Sequence, residues 1–177
     1  GHASGGRRML SLYLLQDREA GRFAILTRFV AVLLFNVGAM KLRSRAVPAK
    51  ATLPQVRRVV FGLSSASDEL LTRYLCTKLD SRRYVAGDAT LVTGFNLLLA
   101  AYGTINVLAR MRAAFHCRTG CDDEDVRLAV SAADLLVVEH PGLYQGRVHA
   151  QLVKAALGSS NLCGDLLAWL ERGRPPS

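Results

Sequence analysis

The chain has few acidic residues and lacks the short motifs by which many enzymes are recognised. Its 177 residues include 14 Asp and Glu against 23 Lys and Arg. The sequence contains no glycine-rich nucleotide loop, no quartet of metal ligands and no nucleophile elbow. These absences argue against nucleotide hydrolysis, a zinc-finger fold and serine hydrolase chemistry, so we expect a protein without a cofactor and without a catalytic centre.

Proline and cysteine are also scarce. Five prolines in a chain that is half hydrophobic are typical of a helical globular protein rather than a disordered one. Four cysteines without a secretory signal peptide indicate free thiols, and we therefore expect a cytoplasmic protein. We interpret residues 1–6 as a cloning remnant, residues 7–172 as a single helical domain and residues 173–177 as a flexible tail.

No stretch alternates polar and apolar residues for long enough to predict a sheet. Apolar residues instead recur at helical spacing, and caps and breaks divide the chain into seven or eight helices. The most hydrophobic segment is Leu91 to Phe115, in a helix expected at about 89–115. Because a helix that is apolar all round is buried, we predict an all-α, single-domain bundle around it. Its polar residues Asn96, Thr104 and Asn106 should then need hydrogen-bond partners.

One of the surrounding helices raises the possibility of a membrane span. The pattern predicts a long helix from Met9 to Leu42, and its segment from Phe23 to Met40 approaches the minimum length for crossing a bilayer. Arg28 and Asn36 lie inside that segment and favour a buried helix of a soluble protein. We therefore expect no membrane span.

Capping signals place the other helices. Thr52 should cap a short helix that ends at Gly62, after a basic linker from Arg43 to Ala51. The acidic run that starts at Asp122 should begin a helix that extends to Glu139. Ser67 should cap a helix between these two, with inward residues Leu70, Leu71, Tyr74, Leu75 and Leu79, and with Cys76 on an apolar face.

The net positive charge of the chain comes from its first half. Residues 7–83 carry 15 Lys and Arg against 5 Asp and Glu, whereas residues 84–177 carry 8 against 9. A field of this kind favours an anionic partner, although a solvated basic face would have the same composition. The candidate binding residues are Lys41, Arg43, Arg45, Lys50, Arg57, Arg58, Arg82 and Arg83.

We therefore interpret the chain as a non-catalytic interaction domain that binds an acidic protein surface or a partner helix. The alternative is a basic nucleic-acid-binding domain. Val56, Val59 and Val60 make the helix of Arg57 and Arg58 core-facing rather than groove-reading, and no exposed aromatic residues for stacking are evident. A protein partner is the first hypothesis for this reason.

Two groups of residues are weak candidates for chemistry. His116, Cys117 and Cys121 resemble part of a zinc site, but a fourth ligand would have to come from Cys76, His140 or Cys163. A turn with unpaired thiols explains the same spacing. Glu139, His140 and His149 offer a carboxylate and imidazoles without a nucleophile, and Glu139 and His140 more simply end a helix.

Residues 70–138 carry a family resemblance. One helix contains Arg73, Tyr74, Leu75, Lys78 and Leu79, and the next contains Gly94, Tyr102, Leu108, Ala109, Arg110 and Ala113. In this order they resemble the helical region of bacterial cysteine-cluster proteins related to flagellin lysine methylases. The cysteine cluster of that family is absent here, so the resemblance implies a companion domain of a metal-cluster protein and carries over neither a metal nor methyl transfer.

A second resemblance concerns architecture. A central apolar helix among amphipathic helices is similar to Bcl-2-type bundles, which bind a partner's helix in a surface groove. The Asn-Trp-Gly-Arg signature of that family is missing around Gly94 and Asn96, although viral members also lack it. The resemblance implies a peptide-binding groove by analogy of fold alone.

Overall fold

The computed structural model describes residues 41–44, 47–80 and 91–134, and these residues are mostly helical. The predicted helix from Met9 to Leu42 lies outside them except for its last two residues, Lys41 and Leu42, where the prediction is wrong because they belong to a strand. Every helix predicted after residue 134 lies outside them. Two strands and four helices follow in order: β1 (Lys41–Ser44), β2 (Ala49–Thr52), α1 (Leu53–Arg58), α2 (Ser65–Asp80), α3 (Leu91–Phe115) and α4 (Asp123–Ala133).

The strands β1 and β2 form an antiparallel hairpin, so the expectation of a linker without any sheet is wrong for this segment. Ala49 and Ala51 are buried and alternate with exposed Lys50, which is the period of a strand. Four residues with small apolar side chains are too short a pattern to be detected in the sequence. Val47, in the turn, is fully buried and anchors the hairpin to the core.

Helix α1 begins where its capping signal predicts. The backbone N–H of Thr52 donates to Gln55 Oε1 over 2.9 Å, which is one half of a capping box, and a proline occupies the first turn. The helix ends at Arg58 rather than at Gly62. The chain becomes extended at Val59, and Val60 pairs with Gly120 in a parallel bridge, which removes these residues from the helix.

Helix α2 begins at Ser65, three residues before the start that a cap at Ser67 predicts. Ser64 Oγ accepts the backbone N–H of Ser67 over 3.1 Å, so Ser64 serves the first turn as a cap and Ser67 lies buried inside the helix.

The buried face of α2 is narrower than predicted. Leu71 is buried, and Tyr74 and Leu75 pack against the core, but Leu70 and Leu79 are 36% and 39% exposed. Cys76 is also exposed, contrary to the prediction of an apolar face. Because α2 packs on α4, a single stripe of its surface is covered and the leucines beside that stripe meet solvent.

Helix α3 spans Leu91–Phe115 as predicted and is the centre of the described fold. It packs against α4, β2 and α1. Small side chains let these elements approach closely, and one core joins all four of them. The buried residues that α3 contributes to this core include Ala101, Ile105, Leu108, Ala109, Met111 and Ala113.

Helix α4 has the acidic start that the sequence predicts. Asp122 Oδ1 accepts the backbone N–H of Asp125 over 2.8 Å, and Asp125 Oδ2 accepts that of Asp122 over 3.1 Å. Val126, Ala129 and Ala133 of α4 are buried in the core. The predicted continuation to Glu139 lies outside the described residues. None of the described helices has the length and apolarity needed to cross a membrane.

Candidate functional site

Residues 41–58, here called the basic segment, hold six of the predicted binding residues and no acid. These six are Lys41, Arg43, Arg45, Lys50, Arg57 and Arg58. Lys41, Lys50, Arg57 and Arg58 are exposed. The backbone of Arg43 pairs with that of Lys50 across the hairpin, whereas Arg45, Arg82 and Arg83 lie outside the described residues.

The scaffold determines which residues of the basic segment face outward. Lys50 stands between two buried alanines, and the pleat of a strand places it on the opposite face. Arg57 and Arg58 stand between buried Val56 and Val59 at the end of α1, so the inward positions of this turn are already taken. Packing of the hairpin and α1 against α3 therefore holds these cations at the surface.

The exposed cations of the basic segment differ in their pairing from most other described cations. The exception is Arg110, which is buried and has no carboxylate partner among the described residues. Outside the segment, Lys78 Nζ lies 2.5 Å from Asp134, and the guanidinium groups of Arg73, Arg112, Arg118 and Arg127 each contact a carboxylate. Within the described part of the chain, no carboxylate pairs with Lys41, Lys50, Arg57 or Arg58. Their charge is therefore not neutralised locally and is available to an external anion.

The residues of the weak metal candidate form the end of α3. Cys117 has φ 56°, the left-handed conformation, and its N–H donates to Ala114 O over 3.1 Å. The N–H of Arg118 donates to Ala113 O over 2.9 Å. These two bonds define a Schellman motif, which satisfies the last carbonyls of a helix. The spacing of His116, Cys117 and Cys121 is thus explained by a helix end.

The thiol of Cys121, one of the three weak metal candidates, is partly buried. Burial, with a contribution from the carboxylate of Asp125, raises its pKa to about 12. Without a bound metal this thiol therefore stays protonated near neutral pH, and it would have to lose its proton to bind zinc as a thiolate. Among the described residues, no three His, Cys, Asp or Glu side chains cluster as a metal site. His140, Cys163, Glu139 and His149 lie outside those residues.

Asp125 is the most connected polar residue of the described fold, and its role was missed in the sequence. Its fully buried carboxylate accepts Arg112 NH1 over 2.9 Å and Arg118 NH2 over 2.8 Å. The acidic run indicated only a favourable charge at a helix start, because ion pairs that depend on the fold are not visible in composition. The arrangement joins α3, the turn and α4, and it holds no nucleophile.

A second polar group joins α2 to the end of α4. The hydroxyl of Tyr74 donates to Asp134 Oδ1 over 3.2 Å, and Lys78 Nζ lies 2.5 Å from the same oxygen. Lys78 Nζ also lies 5.5 Å from the centre of the Tyr74 ring. These contacts stabilise the packing of α2 on α4.

The comparisons with known proteins provide no information about the candidate site. No protein-family model matches the chain, and neither does any curated protein or solved structure. The resemblances to cysteine-cluster proteins and to Bcl-2-type bundles stay predictions. The basic segment is therefore the candidate functional site on the strength of its exposed and unpaired cations.

Proposed function

We propose that this chain is a non-catalytic interaction domain whose basic segment binds an acidic surface of another protein. The proposal rests on one observation: some of the described cations pair with a carboxylate of the chain and others do not. The described cations of α2, of the turn before α4 and of α4 form ion pairs with carboxylates of the same chain. In contrast, the four exposed cations of the basic segment have no such partner among the described residues; they are Lys41, Lys50, Arg57 and Arg58.

Two features of the segment favour a protein over a nucleic acid. Helix α1 has six residues and buries Leu53 and Val56, so it offers little polar surface to a DNA groove. Val60, two residues after the end of this helix, is 37% exposed and adds an apolar contact beside the arginines. Arginine next to apolar surface is typical of protein interfaces.

Binding to a model acidic polymer tests the proposal. We expect polyglutamate to bind the full chain. The double variant Arg57→Gln, Arg58→Gln should bind it about two- to thirtyfold more weakly, since each exposed contact between opposite charges is worth about 0.2–1 kcal/mol. The matched control is Arg73→Gln, Arg127→Gln, which removes the same charge from two exposed ion pairs. Equal weakening by both variants would show that net charge alone is responsible.

The absence of acidic residues from 41 to 67 also supports a second candidate, a nucleic-acid-binding domain. A short DNA duplex and a single-stranded RNA serve as parallel probes. Nucleic-acid binding predicts that log K falls by about 0.9 per neutralised duplex phosphate per log unit of salt. Tighter binding of either nucleic acid than of polyglutamate at matched ionic strength would replace the first candidate by the second.

A further inference from the structure

Arg110 of α3 is a buried cation for which the described fold supplies no counter-charge. The residue is 4% exposed, and its Nε has no hydrogen-bond acceptor. Within residues 91–134 the buried carboxylate of Asp125 is bound by Arg112 and Arg118, and no described carboxylate pairs with Arg110. A guanidinium cannot shed its proton near neutral pH, and a buried charge without a partner is strongly destabilising.

Asn106 lies one helical turn before Arg110, on the same side of α3. It is 2% exposed, and its Oδ1 has no hydrogen-bond donor. The two unsatisfied atoms have complementary needs, because Arg110 Nε–H requires an acceptor and Asn106 Oδ1 requires a donor. A bridging water would satisfy both hydrogen bonds but would leave the charge of Arg110 uncompensated.

Arg110 is buried beside Tyr102 of α3 and Cys121 of the loop before α4. Cys121 and Tyr102 are its electrostatic neighbours, and burial lowers the pKa of the guanidinium. The ring of Tyr102 meets Phe61 edge-on at 6.4 Å, and Cys121 N–H donates to Val60 O over 3.3 Å. Segment 60–61 is thus tied to the loop before α4 by two backbone hydrogen bonds, the second from Val60 N–H to Thr119 O.

We infer that Arg110 and Asn106 form a buried site for a small oxyanion that carries a hydroxyl group, with hydrogen phosphate as the ligand. The negative oxygens of hydrogen phosphate accept from the guanidinium and neutralise it, and its P–OH donates to Asn106 Oδ1. The site lies on the central helix and contains no residue of the basic segment.

Inorganic phosphate and sulfate, at equal ionic strength, are the probes for this site. Sulfate has no hydroxyl hydrogen near neutral pH and cannot donate to Asn106. In titration calorimetry of the full chain we expect saturable binding of one phosphate and weaker binding of sulfate. Arg110→Met should weaken phosphate binding by roughly ten- to a hundredfold or more, the range for a hydrogen bond to a charged group.

Two variants keep the inference testable if Arg110→Met does not fold. Asn106→Leu should fold, since it removes an amide oxygen without a donor, and it should retain anion binding but lose the preference for phosphate over sulfate. The double variant Arg57→Gln, Arg58→Gln should bind phosphate like the unchanged chain, which separates this site from the basic segment.

Several outcomes would overturn the inference. They are the absence of saturable phosphate binding to the unchanged chain, equal phosphate binding by Arg110→Met, and an unaltered phosphate preference in Asn106→Leu. In phosphate-free chloride buffer, Arg110→Met should melt at least as high as the unchanged chain, because it removes an unpaired buried charge. A lower melting temperature in that buffer would show that the guanidinium already has a partner.

Discussion

At the scale of single residues, Cys117 occupies a backbone conformation that suits glycine. Its φ of 56° places it in the left-handed region, where a Cβ collides with the neighbouring carbonyl at a cost of about 1–2 kcal/mol. We expect Cys117→Gly to raise the free energy of unfolding by about 1 kcal/mol, measured by urea denaturation. Cys117→Ala is the control, since it removes the thiol and keeps the Cβ. Equal stability of the two variants would contradict the backbone explanation.

Among the described polar side chains, Asp125 is the one whose substitution we expect to lower the free energy of unfolding most. Asp125→Asn removes the charge that holds Arg112 and Arg118, and we expect it to lower the free energy of unfolding by about 3 kcal/mol. This loss of about 3 kcal/mol is at the low end of the range for breaking a buried ion pair, because the side chains of both arginines are partly exposed to solvent.

The matched control for Asp125 is Glu69→Gln. Glu69 pairs with Arg73 one turn along α2, and their side chains are 69% and 74% exposed. An exposed pair of this kind contributes about 0.3–0.5 kcal/mol, so Glu69→Gln should change the free energy of unfolding in urea by no more than that. Similar losses for the two variants would mean that burial does not decide the strength of these ion pairs.

At the scale of elements, the junction between α2 and α4 should make stability depend on pH. Asp123 at the start of α4 accepts hydrogen bonds from the hydroxyls of Ser64 and Ser67, and these bonds lower the pKa of its carboxyl. The folded chain therefore holds this proton more weakly than the unfolded chain. The resulting stabilisation is present above the unfolded pKa of Asp, about 4, and is lost as the pH falls through the lower folded value.

The double variant Ser64→Ala, Ser67→Ala tests this linkage. We expect it to melt lower than the unchanged chain at neutral pH. The difference should shrink as the pH falls from about 4 through the lower folded pKa of Asp123, below which the carboxyl is protonated in both states. Thermal melts monitored by circular dichroism measure the effect. A difference that is constant across the acid range would assign the role of the serines to helix capping alone.

The elements that the sequence predicts well are those with a strong local signal. The limits of α3 follow from a long apolar stretch, and the start of α1 follows from Thr52 and the proline in its first turn. The hairpin was missed because two alanines carry little hydrophobic pattern. The exposure of Leu70, Leu79 and Cys76 was missed because it depends on how much of α2 the neighbouring α4 covers.

The candidate site also has one property that the sequence shows and another that only the fold shows. The surplus of positive charge in residues 7–83 is a property of composition, so a count of residue types is enough to find it. Pairing is a property of the fold: Lys78 meets Asp134 across 56 positions, and Arg112 meets Asp125 across 13. Only the folded arrangement separates cations that stabilise the domain from cations that have no internal partner.

At the scale of the whole molecule, the formal net charge of +9 should make the unpaired cations neutral or slightly unfavourable for folding. Arg57 and Arg58 are adjacent, exposed and without an acid among the described residues, so neutralising both removes repulsion and breaks no ion pair. We expect Arg57→Gln, Arg58→Gln to unfold within about 0.5 kcal/mol of the unchanged chain, and to be the more stable of the two at low salt.

Salt separates this expectation from a structural role for the same arginines. Repulsion between exposed charges reaches about 30 Å at 0.01 M salt and about 3 Å at 1 M, so any advantage of the double variant should disappear at the higher concentration. Urea denaturation at both concentrations measures it, with Arg112→Gln as the control that loses a partly buried ion pair and should be destabilised at both. A double variant that is destabilised like Arg112→Gln would mean that Arg57 and Arg58 stabilise the domain. Weaker polyglutamate binding by that variant would then reflect a damaged fold rather than a lost contact surface.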